Sequence, residues 1–250
     1  MLVKKFYRKL NGYLRMVSAK GSSVSDDGRY PKAVHSFVED ETEFDNFRRN
    51  EIYMQIVECP TYEEGRKYLS IVNRIWPEWK NHKEEFLKND QVGNPYIYEY
   101  DGVGKISAKL LQEILTLGEI QRVRPEISDV RTVAEIGVGY GSLARLLSVM
   151  FQPRKYFMYD LPDVLMLAKK YIERTGEFYS EIISNVAPVG GVKYDMVISN
   201  YAFSELSPEL QKDYLQKALL KSKHGFIIYN PLAREKYRGG YSALELAYAI

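Results

Sequence analysis

The sequence predicts an α/β fold: a parallel sheet with helices on both faces, preceded by an N-terminal helical extension. Two observations carry this. Residues 133–141, Val-Ala-Glu-Ile-Gly-Val-Gly-Tyr-Gly, join a short apolar run to three alternating glycines, and the helical pattern Leu143-Ala144-Arg145-Leu146-Leu147 follows at once. From Arg131 onward, strand-length apolar runs alternate with helix-length amphipathic runs, which gives parallel strands linked by right-handed crossovers.

Residues 18–34 open on a small, polar stretch (Ser-Ala-Lys-Gly-Ser-Ser-Val-Ser-Asp-Asp) and read as a flexible linker within an extension spanning 1–92. From Glu41 to about Asn89 the pattern is helical, with Phe44, Phe47, Tyr53 and Ile56 near one face. Thr61-Tyr-Glu-Glu64 is a capping box opening a helix that carries Tyr68, Leu69, Val72, Ile75 and Trp76 until Pro77 stops it. Asn94–Gly102 reads as a loop dense in tyrosine, after which Ser107 caps a helix bearing Leu110, Leu111, Ile114 and Leu115. The strands that follow are expected at Thr132–Ile136, Tyr156–Asp160, Glu181–Ser184, Met196–Ser199 and Phe226–Tyr229. Pro153 ends the first crossover helix, Gly176 the second, and Ser207-Pro208-Glu209 starts the third. His224-Gly225 reads as a turn.

Composition narrows the function classes. Hydrophobic residues at 45% and charged residues at 27% are ordinary for a soluble globular chain. A formal charge of +2 provides no global field for nucleic acid. The single cysteine, Cys59, excludes an internal disulfide and a cysteine-based metal cluster, and reads as a small hydrophobe before Pro60. His35, His82 and His224 lack ligand spacing, so no metal site is legible. The N-terminus is basic and amphipathic without a continuous apolar core, so it is not read as a secretory signal. Such a segment can rest on an anionic membrane surface or dock on the domain as a solvated helix. The chain is read as cytoplasmic, with no transmembrane segment.

In an open parallel sheet, ligands lie beyond the carboxyl ends of the strands, where strand order reverses. That rule selects Gly137, Gly139, Gly141, Asp160, Asn185 and the segment Asn200–Glu205, and it places Asp195 and His224 at the opposite edge. Asp160 lies 21 residues beyond Gly139, and its two oxygens match the vicinal hydroxyls of a ribose. A dinucleotide would be served about as well by glycines and acid alone. Three further features point to S-adenosylmethionine. Ser142 stands where a dinucleotide fingerprint requires Gly or Ala. Glu135 would repel a pyrophosphate but suits a cationic amino acid end. The polar, aromatic segment Asn200-Tyr-Ala-Phe-Ser-Glu205 suits a sulfonium, which aromatic faces attract.

Four segments carry a resemblance to a known family: Glu135–Gly141, Tyr159-Asp-Leu-Pro-Asp-Val164, Tyr194–Leu206 and Gly93-Asn-Pro95. With these, the chain from about Gly93 to the C-terminus resembles the bacterial sugar O-methyltransferases, class I S-adenosylmethionine-dependent enzymes. The resemblance implies a Rossmann-like sheet over 93–250 and methyl transfer to a hydroxyl of a glycan or nucleotide-linked sugar. It implies that Glu135, Gly137, Gly139 and Gly141 cradle the methionine end, that Asp160 holds the ribose, and that Leu161 lies against the adenine. Asn185 stands where such enzymes place a group for the adenine amine; a strand-end turn residue reads equally well there. The family's last two strands are missing from the sequence after Gly240–Ala247, which reads as the helix following the fifth strand.

Glu205, the only carboxylate in the segment after the fourth strand, is the candidate general base, with capping of the next helix as its competing role. Asn200, Tyr201 and Ser204 are candidates to line the cofactor or orient the acceptor, and Tyr96 and Tyr98 to stack on a sugar ring. Two other function classes stay open: a nicotinamide-dependent sugar oxidoreductase, and a non-catalytic methyltransferase-like scaffold in polysaccharide synthesis.

Overall fold

A computed structural model describes residues 28–123, 129–230 and 240–249. Five parallel strands form the sheet: β3 (Thr132–Ile136), β4 (Lys155–Tyr159), β5 (Glu181–Asn185), β6 (Tyr194–Asn200) and β7 (Ser222–Ile228). Their order is β5-β4-β3-β6-β7, so the chain reverses direction across the sheet between β3 and β6. The register pairs Glu135 with Met158 on one side and Ile198 on the other. Alternation sorts the side chains by face. Val133, Tyr156, Met158, Met196 and Ile198 enter the larger apolar core, while Ala134, Ile136, Phe157, Tyr159 and Val197 enter the smaller one.

The smaller core is closed by α10 (Pro208–Lys217) and α11 (Ala243–Ala249) through Tyr214, Leu215 and Leu246. The larger is closed by α6 (Ala108–Val123), α7 (Ser142–Phe151) and α8 (Pro162–Thr175). Five helices from earlier in the chain join them on that side: α1 (Arg29–Glu39), α2 (Glu41–Asn46), α3 (Glu51–Ile56), α4 (Tyr62–Ile75) and α5 (Lys83–Leu87). Their starts are fixed locally. Asp40 caps α2, Asn50 caps α3, and α4 opens on the capping box Thr61–Glu64 in which both reciprocal bonds form.

Three sequence expectations are corrected. Residues 29–34, assigned to the linker, form the first turns of α1, because Tyr30, Ala33, Val34 and Phe37 make a buried stripe at helical spacing; residues 18–27 lie outside the described residues. The tyrosine-dense loop is a hairpin of β1 (Ile97–Tyr100) and β2 (Gly104–Ser107), closed by a three-residue turn with Gly102 at φ 73°. Asp-Gly between alternating residues is a hairpin signal. His224-Gly225 lies inside β7, paired with Met196 and Val197, rather than in a turn.

The helices ahead of Gly93 share the sheet domain's core. Phe47 is fully buried against Phe37, Phe44, Tyr53, Tyr140 and Tyr171, with ring centroids 5.3–6.4 Å apart. Phe47→Ala is expected to cost about 3–5 kcal/mol, the usual range for emptying a phenylalanine site, and urea unfolding would show this as a lowered midpoint at unchanged slope.

Candidate functional site

The site grows from the bend after β3. Gly137, Gly139 and Gly141 all adopt positive φ, at 79°, 54° and 86°, before α7 begins at Ser142. Each glycine serves a different end. A Cβ on Gly137 would collide with Cβ of Ala202, at the start of α9 (Ala202–Glu205). A Cβ on Gly141 would press on Ile172 and Ala168 of α8 at 3.2–3.3 Å. At Gly139 the nearest atom is Val57 Cγ1 at 3.9 Å, so the middle of the bend is left open while both ends are packed.

Asp160 follows β4 and is tied to that open bend. Its carboxylate accepts the Gly139 N–H at 3.1 Å on one oxygen and the Leu161 N–H at 2.8 Å on the other. Burial pushes its pKa up to about 6, against the pull of the Leu161, Gly139 and Val138 backbone groups. Glu135, near the end of β3, is buried and accepts the Tyr156 hydroxyl at 2.7 Å. Burial pushes it up to about 8; the Tyr156 hydrogen bond lowers it, and the neighbouring Glu113 and Asp160 raise it further. Two acids beside the glycine bend thus resist ionisation.

Across the reversal point, β6 ends at Asn200, whose Oδ1 is buried with no hydrogen-bond partner among the described residues. Tyr201 then adopts φ 70°, rare for a residue with a Cβ, and is 40% exposed. Ser199 Oγ fixes this turn by donating to the Ile136 carbonyl at 2.9 Å and accepting the Phe203 N–H at 2.9 Å. Ser204 is buried, its hydroxyl donating to the Tyr201 carbonyl at 2.6 Å and accepting the Asn230 N–H at 2.9 Å. These bonds tie the loop after β6 to Asn230. Glu205 Oε1 accepts from Asn230 Nδ2 at 2.8 Å. Capping of α10 falls to Ser207, which takes the Leu210 N–H, so the competing role expected for Glu205 is filled by another residue. Asn185 ends β5 opposite Tyr159, and Leu161 is the N-cap of α8; both are half-buried.

The helices before Gly93 roof this region, which the sequence reading missed. Tyr30 of α1 is buried and stacks on Tyr53 of α3 at 6.0 Å, and both phenols lie within electrostatic reach of Asp160; Tyr30 also feels Glu205. Tyr140, inside the glycine bend, packs on Phe47 and Tyr53, with the Arg48 guanidinium 5.0 Å from its ring centre. The only available signal was the apolar stripe Phe44, Phe47, Tyr53, which announces burial without naming its partner.

No protein-family model and no curated protein matches the chain. Three solved structures show what its shape is similar to. YcgJ from Bacillus subtilis superposes with a TM-score of 0.41 at 15% identity, over 54% of this chain and 65% of that one. The S-adenosylmethionine-dependent methyltransferase SibL, in its apo form, gives 0.34 at 17% identity, over 65% and 52%. A point mutant of MtNAS, in complex with S-adenosylmethionine, gives 0.41 at 14% identity, over 94% and 87%. The chain thus spans just under two thirds of YcgJ and about half of SibL.

Not all the residues named from sequence come together. Gly137, Gly139, Gly141, Asp160, Asn200, Tyr201 and Glu205 gather at the carboxyl ends of β3, β4 and β6. Tyr96 and Tyr98 line a separate cavity of about 140 Å³ together with Cys59, Thr61 and Lys109. A larger depression of about 480 Å³, between Asn94 and Arg174, is lined by Asp45, Lys88 and Arg174, each held in an ion pair, and includes none of the glycine-bend residues. Among the described residues, no cluster of His, Cys, Asp and Glu has the makings of a metal site, and no helix is long and apolar enough to cross a membrane.

Glu135 makes a testable contribution to stability. Its folded pKa of about 8 lies above the ordinary 4.5, so the native state holds a proton that the unfolded chain releases between those values. The resulting stability is complete below the lower value and is lost as pH rises through about 8. Glu135→Gln is expected to flatten the fall in melting temperature between pH 5 and 8; an unchanged slope would place the titration elsewhere.

Proposed function

We propose that this protein is an S-adenosylmethionine-dependent methyltransferase acting on a hydroxyl of a glycan or nucleotide-linked sugar. The observation that carries the reading is the set of acceptors converging on an open glycine bend: the carboxylate of Asp160, the buried acid Glu135 and the unpartnered Asn200 Oδ1. Burial raises both acids, and a bound cation would relieve that by favouring their ionised forms, whereas a pyrophosphate would hold them protonated and would lose hydrogen bonds beside the acceptor Asn200 Oδ1. This weighs against the nicotinamide alternative. When bound, S-adenosylmethionine supplies a methyl group activated by a sulfonium.

The chain's own residues then have distinct tasks. Asp160 accepts the ribose hydroxyls in its ionised form, exchanging or sharing its bond to the Gly139 amide. Gly139 lets the ligand lie against bare backbone. Glu135 and Asn200 face the amino acid end, and Asn185 and Leu161 the adenine. Tyr201, held at the end of β6 with its ring half in solvent, borders the acceptor. Methyl transfer is an in-line displacement, so most of the catalytic effect comes from holding the acceptor oxygen close and collinear. A sugar hydroxyl is a weak nucleophile, and Glu205, steadied by Asn230, takes its proton as general base, a contribution of about 10²–10⁴-fold. The working place of such an enzyme is the cytoplasm, where cofactor and nucleotide-linked sugars are made.

Calorimetric titration with S-adenosylmethionine tests the cofactor. Binding is expected to weaken as pH falls through about 6, because protonated Asp160 accepts poorly; Asp160→Ala should bind at least tenfold more weakly and lose that pH dependence. No binding by the unmodified protein would end the reading.

Glu205→Gln is expected to lower kcat by about 10²-fold or more while cofactor affinity stays within a factor of two. Parallel losses of turnover and melting temperature would make Glu205 a structural residue.

A further inference from the structure

The cavity lined by Glu58, Cys59, Thr61, Tyr96, Tyr98 and Lys109 stands apart from the cofactor residues. Its space is small and open on one side. About 140 Å³ matches the volume that holds a benzene-sized ring, so a substituted six-membered ring would seat one face here with its substituents toward the opening. Its walls are amphipathic: Tyr96, just ahead of β1, and Tyr98, within it, both line the space beside Thr61, Ser107 and Lys109. Arg49 covers the Tyr96 ring at 4.7 Å, and Tyr62 meets Tyr98 edge-on at 5.6 Å.

The charges in the lining are compensated from within. Glu58 is gripped by Arg48 at 2.8 and 3.3 Å, and Lys109 pairs with Glu113 at 3.3 Å. A bound phosphate or carboxylate would have to compete with Glu113 and face Glu58. The cavity thus offers donors, acceptors and aromatic surface without surplus charge, the chemistry that recognises a neutral polyhydroxylated ring.

Position ties the cavity to the glycine bend. Val57 Cγ1 is the atom that a side chain on Gly139 would meet first, and Cys59, two residues on from Val57, lines the cavity, so at most about 7.6 Å of backbone joins Val57 to Cys59. Tyr68 lies within electrostatic reach of both Cys59 and Tyr201. Two buried relays run the same way: Lys109 to Glu113 to Ser142 at the head of α7, and Glu58 to Arg48 to the ring of Tyr140.

We propose that this cavity is the acceptor's ring subsite, seating one neutral pyranose of a larger glycan between Tyr96 and Tyr98 while the rest of the acceptor extends outward past Tyr96. Its role toward an acceptor rests on the methyltransferase reading; the pyranose subsite stands on the cavity alone.

Cys59 is the chain's single cysteine, and its alkylation by N-ethylmaleimide reports occupancy directly. The rate is measured with the methyl glycosides of glucose, galactose, mannose and rhamnose at about 50 mM, enough to fill a site of millimolar affinity. Sorbitol and inorganic phosphate serve as comparison solutes. At least one glycoside is expected to slow alkylation about fivefold or more, the protection given by ligand at four times its Kd. Sorbitol and phosphate should leave the rate unchanged, and Tyr96→Ala, at a ring that is 46% exposed, should lose the protection. No effect of any glycoside, equal protection by sorbitol, or protection by phosphate alone would overturn the subsite. S-adenosylmethionine binding without glycoside protection removes the subsite and leaves the cofactor reading. Glycoside protection without S-adenosylmethionine binding supports the subsite and removes the methyltransferase reading.

Discussion

The hydrogen bond from the Gly139 amide to the Asp160 carboxylate joins the two strand ends on which the site is built. Gly139 is the one glycine of the bend where a side chain would find open space, and the bond holds it in a left-handed conformation that a side chain would resist. Packing fixes the bend on either side: Ala202 abuts Gly137, and α8 abuts Gly141. The middle is thereby suspended between two clamped ends and oriented by a single acid. That acid is incompletely ionised near pH 6 because it is buried, so the bend is held at some electrostatic cost.

A second layer of constraint lies beneath the bend, built of ion pairs joined by neutral hydrogen bonds. Arg48 reaches Glu58, Asp90, the Asn89 carbonyl and Ser107; Asn89 in turn holds both Ser142 and Arg145, and Arg145 pairs with Glu85. Arg48, Asn89, Ser142 and Arg145 are all buried. Buried ion pairs seldom add much net stability, but removing one partner strands the other at several kcal/mol. Their effect is directional: the network admits one placement of the hairpin and the helical roof on the head of α7.

The sequence displayed the glycine bend, the β–α alternation, the Thr61 capping box and the Gly139–Asp160 spacing openly, since each is encoded within about 20 residues. The hairpin was obscured because Asn94-Pro95 and Asp101-Gly102 bracket its tyrosines with turn residues, and the bracketed strand is only four residues long. His224-Gly225 resembled a turn by composition, but a place beside β6 decides its conformation. The ionic layer was illegible for a simpler reason. Arg48 meets Asp90, 42 residues on, and Arg145 meets Asn89, 56 residues back, and nothing local separates a buried guanidinium from a solvated one. The roof was likewise hidden: an apolar stripe shows that a helix is covered, and only the tertiary structure shows that Tyr140 covers it.

Tyr140 belongs to the glycine bend, yet its ring sits among Phe47, Tyr53 and Tyr171. Severing the backbone near residue 93 would therefore strip aromatic neighbours from the bend itself. Neither piece would keep an intact interior. The helical extension is better regarded as masonry around the glycine bend than as an appendage, and any rearrangement of those helices is felt at Gly139 through one ring and one valine.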